Sequence, residues 1–275
     1  MDLSALADPI FRLPFVVGLL LAGVLPLLGA LLMLREEWLA ALGYAHLAAA
    51  GALLGLAAGL PAVVGGLTAA AGGAVAKGAG GARGNAVYGF MILGGWAALL
   101  LVGANTALGE QLGHALIEGQ LYFAGPADLT AAVALGLAAA ITLPWLIPRL
   151  LRARLLPQHD AANRLPARRW HLGFDLLAAA GMAAGTASMG LMAAFALVLV
   201  PAWIGFRVAA SWRSSLVWCT MLGCVCYVVA FAGALVLDQP FSPVLVAVLL
   251  AAATGTSARR CARSLRHGQR PQRRA

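Results

Sequence analysis

Charged residues are scarce in this sequence. Only 11% of its 275 residues are Asp, Glu, Lys or Arg, whereas 62% are hydrophobic, and the mean hydropathy is +0.88. A soluble domain is typically about 25% charged and about 45–50% apolar. The shortage of charge therefore excludes a water-soluble globular fold and indicates a protein that lies mostly within a membrane.

Acidic residues and cysteines are also few. Ten acids stand against 19 basic residues, which fall in loops and a tail rather than on one face of a folded domain, so a nucleic-acid partner is not expected. Cys219, Cys224 and Cys226 share one apolar run, and Cys261 lies in the basic tail. Since Cys224 and Cys226 point to nearly opposite sides of a helix, we interpret them as apolar packing residues rather than metal ligands.

Motifs for catalysis are absent from the sequence. The glycine run Gly78–Gly84 lacks the Gly-Lys-Ser/Thr ending of a phosphate-binding loop. The apolar runs carry no Ser-His-acid set, paired carboxylates or clustered metal ligands. We therefore predict that the chain is not an enzyme and binds no cofactor of its own. If ATP drives its function, another chain must bind the nucleotide.

Long apolar runs fill most of the chain. A helix needs about 20 apolar residues to cross a bilayer, which predicts about nine spans here, with eight or ten as alternatives. The predicted spans are 13–34, 39–60, 61–76, 86–104, 127–148, 171–187, 190–206, 214–237 and 241–257. The fold class is thus an all-α, polytopic transmembrane bundle. Residues 1–257 form one transmembrane domain, and residues 258–275 form a basic tail that we expect to be disordered in the cytoplasm.

The stretch Arg149–Trp170 gives the bundle its direction. It carries six arginines and one acid, Asp160, and such loops stay in the cytoplasm because basic residues near span ends resist translocation. With this loop inside, 18 of the 19 basic residues fall on the cytoplasmic side and only Arg12 lies outside. The sequence therefore predicts an outer N-terminus and an inner C-terminus.

His46 is the clearest ionisable residue within a predicted span. Intramembrane ionisable groups are costly and are often functional, and a neutral imidazole binds transition metals. The alternative is a buried histidine hydrogen-bonded to a neighbouring helix, for example through Tyr44 or Asn105. Asp175 lies one turn inside the sixth span, where we expect it to face interfacial water or to pair with an arginine of the 149–170 loop.

The segment 105–126 is the longest predicted outer piece. It is amphipathic and is predicted to form a short interfacial helix, with Tyr122 and Phe123 at the level of the headgroups. We interpret His114, within it, as a solvated surface histidine rather than a metal ligand.

Four blocks of sequence resemble the permeases of metal-type ATP-binding-cassette importers, which serve zinc, manganese or iron. The blocks are PLLGALLMLREEWLAALGYAHLAAAGALLGL from Pro26, LYFAGPADL from Leu121, DAANRLPARRWHLGFDLL from Asp160 and MGLMAAFALVLVPAWIGFR from Met189. The resemblance implies a homodimeric permease in the bacterial inner membrane, with zinc as the first candidate substrate. It also implies a cytoplasmic ATPase dimer that binds ATP and an extracytoplasmic metal-binding protein.

The same resemblance implies the site residues. His46 matches a pathway ligand of the family. The cytoplasmic segment that docks on the ATPase, called here the coupling segment, comprises Gln158, Asp160, Ala161, Ala162, Asn163 and Arg164. Zinc-carrying members usually have an aspartate at the position of Leu42 and often a second histidine at that of Leu93, so only His46 carries over.

One alternative function remains open at this point. A gradient-driven secondary transporter of a small solute would also be a polytopic helical protein. Such a transporter normally needs acids or broken helices near the midplane, and no predicted span carries a central acid.

Overall fold

The fold was obtained as a computed structural model. It describes residues 8–80, 84–106, 119, 121–156 and 158–268, with the side chains of Ala161 and residues 259–268 left out. The α-helices are α1 (Arg12–Leu34), α2 (Leu39–Ala57), α3 (Ala62–Gly80), α4 (Asn85–Asn105), α5 (Pro126–Leu155), α6 (His159–Ala162), α7 (Ala167–Met189), α8 (Leu191–Val208), α9 (Trp212–Leu237) and α10 (Phe241–Gly268). The described residues contain no strand, and nine of their helices are long and apolar enough to span a membrane. The all-α class and the predicted span count are confirmed.

Left-handed backbone positions mark several of the helix ends. The α1–α2 turn passes through Glu36, with a φ of 58°, and α9 ends at Asp238, with a φ of 50°. α7 and α8 are two helices that meet at Gly190, where φ is 90°, two residues after the predicted boundary near Ser188. A side chain at Gly190 would be strained in this conformation, so glycine fixes the break.

Four helices form the buried centre of the bundle. α1, α2, α7 and α8 bury more than half of their span residues, whereas α3, α4 and α10 bury only 28, 17 and 22%. α2 packs against α3, α4 and α7, and α1 packs against α5, α8 and α9. The outer helices therefore present apolar side chains to lipid or to another chain.

Glycines bring α2 and α3 into backbone contact. A Cβ atom placed on Gly65 would lie 2.2 Å from the carbonyl oxygen of Gly51 and 2.9 Å from the Cα of Gly55. Small residues at such crossings let helices approach closely in lipid, where association depends on packing rather than on the hydrophobic effect. These glycines thus allow α3 to pack closely against α2, the helix that carries His46.

One end of the bundle collects the charged residues. α1, α3 and α5 finish there, and α2, α4 and α7 begin there; we call it the loop end, because it carries the loop between α5 and α7. At the opposite end, Tyr122 packs edge-on against Phe11 and Phe231, with ring centroids 5.6 and 5.5 Å away. Phe123 is 82% exposed. The predicted interfacial helix and His114 lie largely outside the described residues, which omit 107–118 and 120.

The last helix is longer than its predicted span. α10 continues through Gly268, into the segment predicted as a basic tail, and residues 269–275 lie outside the described part of the chain. The prediction of a disordered cytoplasmic tail stays a prediction.

Candidate functional site

His46 lies in the first half of α2 and is 6% exposed. Its Nδ1 is 2.8 Å from the carbonyl oxygen of Leu42, one turn earlier on the same helix. Because a carbonyl oxygen can only accept, Nδ1–H is the donor, and the Nε2 of the neutral ring keeps its lone pair. Among the described residues no group hydrogen-bonds to Nε2. The ring is therefore oriented as metal-binding histidines often are, with one nitrogen held by a carbonyl and the other free.

The partners suggested for His46 from sequence are not the ones it uses. Its hydrogen-bond partner is the Leu42 carbonyl, not Tyr44 or Asn105. α4 crosses α2 at this point, since a Cβ on Gly95 would lie 2.6 Å from the carbonyl carbon of His46. The neighbouring Trp96 places its ring 6.1 Å from the imidazole. Backbone packing and an indole thus lie against the histidine, and no side chain of the described residues hydrogen-bonds to it.

The described residues of one copy do not form a complete metal site. The described residues contain no group of three or more His, Cys, Asp or Glu side chains able to hold a metal ion. Leu42 contributes its carbonyl to the His46 ring, and Leu93 lies on the outer face of α4 with 66% exposure. The two positions at which the family often has further ligands therefore supply none here.

A second set of polar side chains lies at the loop end. Arg35, Glu37, Lys77 and Asp175 form what we call the ionic cluster. Their side chains are only 8, 15, 7 and 3% exposed, respectively. Lys77 is the only lysine in the chain. Two cations and two anions thus share a site that is almost closed to water.

The geometry of the ionic cluster is that of a closed ring of ion pairs. Lys77 Nζ lies 3.1 Å from Glu37 Oε2 and 2.9 Å from Asp175 Oδ2. Arg35 pairs with the same two carboxylates, 2.8 Å from Asp175 Oδ1. Burial opposes the charge of Arg35, but the carboxylates of Asp175 and Glu37 outweigh it, so the pKa of Arg35 is raised. Each charge is therefore compensated inside the cluster.

Two tyrosines connect the ionic cluster to α2 and α4. The Tyr88 hydroxyl donates to Glu37 Oε2 at 3.1 Å, and Lys77 Nζ lies 5.1 Å from the centre of the Tyr88 ring. The fully buried Tyr44 packs edge-on against Tyr88, with centroids 5.9 Å apart. Within the described residues the Tyr44 hydroxyl has no hydrogen-bond partner. Tyr44 precedes His46 by two residues on α2.

The sequence analysis predicted the wrong partners for Asp175 and did not identify the ionic cluster. Asp175 is 2% exposed and pairs with Arg35 and Lys77, not with interfacial water or an arginine of the 149–170 loop. The third predicted span, 61–76, ends just before Lys77, whereas Lys77 is a buried residue of α3. The rule that charges within spans are functional candidates was the signal that could have identified both residues.

The coupling segment is only partly helical. α6 covers His159–Ala162, and Arg164 has a left-handed backbone with a φ of 49°. Pro166 then precedes the first turn of α7. Proline disfavours helix in the residue before it, which explains why the short helix cannot continue into α7.

Asp160 anchors the coupling segment to α5. Its side chain is 7% exposed, and Arg152 Nε donates to Oδ1 at 2.9 Å, while Oδ2 has no partner among the described residues. Gln158, Ala162, Asn163 and Arg164 are exposed. The segment thus has one buried anchor and an open polar face. A second arginine of α5, Arg154, pairs with Glu36 in the α1–α2 turn.

Comparison with known protein families decides the identity of the chain. Residues 8–259 match the model of the family described as "ABC 3 transport family". The chain belongs to the ABC 3 transport family. The members of this family are permeases of metal-type ATP-binding-cassette transporters, so the chain is a multi-pass membrane subunit for metal uptake, with a transport role rather than a catalytic one.

A solved structure has the same fold as this ABC 3 transport family member. A chain of PsaBC from Streptococcus pneumoniae, in complex with Fab, superposes with a TM-score of 0.78 at 16% identity, covering 92% of each chain. At this identity the likeness concerns the fold alone. No curated protein sequence matches the chain.

Proposed function

We propose that this chain is the permease subunit of an importer for divalent transition metal ions, with zinc as substrate first and manganese or iron next. The family match over residues 8–259 carries the proposal. Support from the site comes from His46, whose Nε2 lone pair suits zinc and iron better than manganese as a ligand. The metal is the substrate of the chain and not a resident cofactor.

His46 acts in this proposal as a transient ligand. Conduction requires a site that binds an ion strongly enough to admit it and weakly enough to release it. One imidazole from each copy would bind an ion weakly enough to release it, because Leu42 and Leu93 supply no side-chain ligand at the other two family positions. The carbonyl of Leu42 keeps the ring in the metal-binding tautomer throughout.

The proposed orientation has an outer N-terminus and an inner C-terminus in the bacterial inner membrane. The clustering of Arg35, Lys77 and the arginines of α5 at the loop end supports it, because basic span ends favour the cytoplasm. Reporter fusions at Gly113 and Gly268 should report opposite sides of the membrane. Reports from the same side would overturn this orientation.

The proposed partners are a second copy of the chain, a cytoplasmic ATPase dimer and an extracytoplasmic metal-binding protein. The exposed polar face of the coupling segment supports ATPase docking, since an anchored segment can transmit a push into α5 through Arg152 and Asp160. The exposed apolar faces of α4 and α10 leave room for a second copy as well as lipid.

Uptake by reconstituted vesicles tests the function. Vesicles that contain the permease with its ATPase partner should accumulate radioactive zinc only when ATP is supplied, and ATP hydrolysis should rise with zinc more than with manganese or iron. Uptake without any ATPase chain, driven by an imposed ion gradient, would replace the proposal with the secondary-transporter alternative. A larger response to manganese would keep the importer and change its substrate.

A further inference from the structure

The ionic cluster joins parts of the chain that local sequence does not connect. Arg35 and Glu37 lie in the α1–α2 turn, Lys77 lies in the last turn of α3, and Asp175 lies in α7. A single ammonium group within 3.1 Å of two carboxylates fastens all three elements together. The ring of charges therefore closes the loop end between α2, α3 and α7.

Stability alone is a poor reason for this arrangement. Removing charges from water costs about as much as their mutual attraction returns, so apolar side chains of similar volume are often equally good or better. The close backbone contacts between α2 and α3 are made by glycines and alanines. Four charges at the end of an otherwise apolar crossing indicate a contact that must be broken and remade, because separated ion pairs can be hydrated while separated leucines cannot.

The ionic cluster is also linked to the coupling segment. Glu36, between Arg35 and Glu37, pairs with Arg154 in the last turn of α5. Two residues earlier on α5, Arg152 pairs with Asp160 of the coupling segment. A displacement of the coupling segment therefore reaches the α1–α2 turn through two ion pairs and the end of α5.

On its other side the ionic cluster reaches the helix of His46. Tyr88 donates to Glu37, and Tyr44 of α2 packs against Tyr88 with its hydroxyl unpaired within the described chain. Opening of the cluster would supply water to Tyr44, which lies at nearly the depth of His46 but on almost the opposite side of α2.

We propose that Arg35, Glu37, Lys77 and Asp175 form a latch that closes the loop end of the permease and opens in each transport cycle. The latch is a positioning device: its residues do not bind the metal but control the exit from the region of His46. The proposal rests on the proposed function, since it assigns the release side of the same pathway. Its opening is driven through Glu36 and Arg154 by the coupling segment.

A charge-balanced double variant separates a latch from a structural ion pair. Lys77→Met or Asp175→Asn alone leaves one buried charge uncompensated and can fail to fold. Lys77→Met with Asp175→Asn removes one charge of each sign and leaves Arg35 paired with Glu37. This double variant should melt near the wild-type temperature in detergent, yet its ATP-dependent zinc uptake should fall about tenfold, a typical size for a coupling effect.

Solvent access to Ala74 provides a readout that does not need transport. Ala74 is fully buried on α3, one turn before Lys77. In a background whose four cysteines are replaced by serine or alanine, the Ala74→Cys permease in lipid nanodiscs is labelled with a water-soluble maleimide. The double variant should raise the labelling rate about tenfold, because loss of the ion pairs shifts the local opening equilibrium. Ala230→Cys, equally buried on α9, is the matched control and should not change.

The link to the ATPase is tested in the assembled complex. Labelling of Ala74→Cys should differ between the nucleotide-free and ATP-bound states. Glu36→Gln should reduce that difference by up to about fivefold, the most that one exposed ion pair contributes. If Glu36→Gln leaves the labelling difference between the two nucleotide states unchanged, the contact between Glu36 and Arg154 does not transmit the opening of the latch.

These experiments test the latch separately from the proposed importer function. Normal uptake and unchanged Ala74→Cys labelling in the double variant would overturn the latch and leave the importer in place. Increased labelling at both Ala74→Cys and Ala230→Cys would show general loosening and would also overturn it. If wild-type vesicles take up no metal, the proposed function fails, while selective labelling at Ala74→Cys would still establish a gate at the loop end.

Discussion

Lys77 and Asp175 form an ion pair of 2.9 Å across 98 positions of sequence, with side chains that are 7% and 3% exposed. α3 and α7 are thereby joined at the loop end of the bundle. The pair is part of a ring that includes Arg35 and Glu37, so no single charge can be removed without leaving a buried counter-charge.

Lys77→Met is expected to destabilise the permease by about 3–5 kcal/mol, the usual cost of an uncompensated buried charge. Combination with Asp175→Asn should recover most of this loss. Thermal unfolding in detergent measures both effects. Equal losses for the single and double variants would contradict a charge-balance origin and would assign the effect to side-chain packing instead.

His46→Gln is expected to abolish metal uptake while expression and unfolding temperature stay near those of the wild type. Glutamine keeps hydrogen-bonding capacity and similar volume, but it is a much poorer ligand for zinc than imidazole. Uptake of zinc, manganese and iron by reconstituted vesicles is the measurement. His267→Gln, near the end of α10, is the matched control and should transport normally. Normal uptake of all three metals by His46→Gln would leave His46 a packing residue.

Glutamates at Ala161 and Ala162 are expected to uncouple ATP hydrolysis from transport without unfolding the spans. They add two negative charges to α6, beside the exposed polar face on which we propose that the ATPase docks. The ratio of zinc imported to ATP hydrolysed measures the coupling. Ala127→Glu, an exposed position in the first turn of α5, places a similar charge at the opposite end of the bundle and should keep the wild-type ratio. An unchanged ratio in the Ala161 and Ala162 variant would exclude the coupling segment from the mechanism.

Gly65→Ala is expected to lower stability by about 1–3 kcal/mol, because the new methyl group meets the backbone of α2 and the helices must separate. Gly72→Ala is its control on the same helix. No atom lies within 4 Å of a Cβ at Gly72. Alanine there should be neutral or stabilising by up to about 1 kcal/mol through helix propensity. In detergent, the unfolding temperature of Gly65→Ala should therefore lie below that of the wild type, and that of Gly72→Ala should equal or exceed it.

The number and bounds of the spans follow from sequence alone. Each predicted span begins within four residues of the start of a helix, because crossing a bilayer depends on a local sum of hydropathy over about 20 residues. The ends agree less well for two spans, since α5 continues to Leu155 and α10 to Gly268. The start of α2 was predicted at Leu39 and is found there. The coupling segment shows the limit of such reasoning: its polarity was evident, but the left-handed Arg164 that ends the helix was not.

Only the tertiary structure decided which polar groups meet. His46 was recognisable from sequence as an intramembrane histidine, whereas its tautomer depends on the Leu42 carbonyl and its surroundings on the crossing of α4 at Gly95. Lys77 and Asp175 each looked like charges at the edge of a span. Their burial comes from the packing of α3 against α7, and hydropathy along the chain contains no information about which helices pack together. An ion pair within a membrane bundle is a property of two helices at once, and so the sequence of either helix could not reveal it.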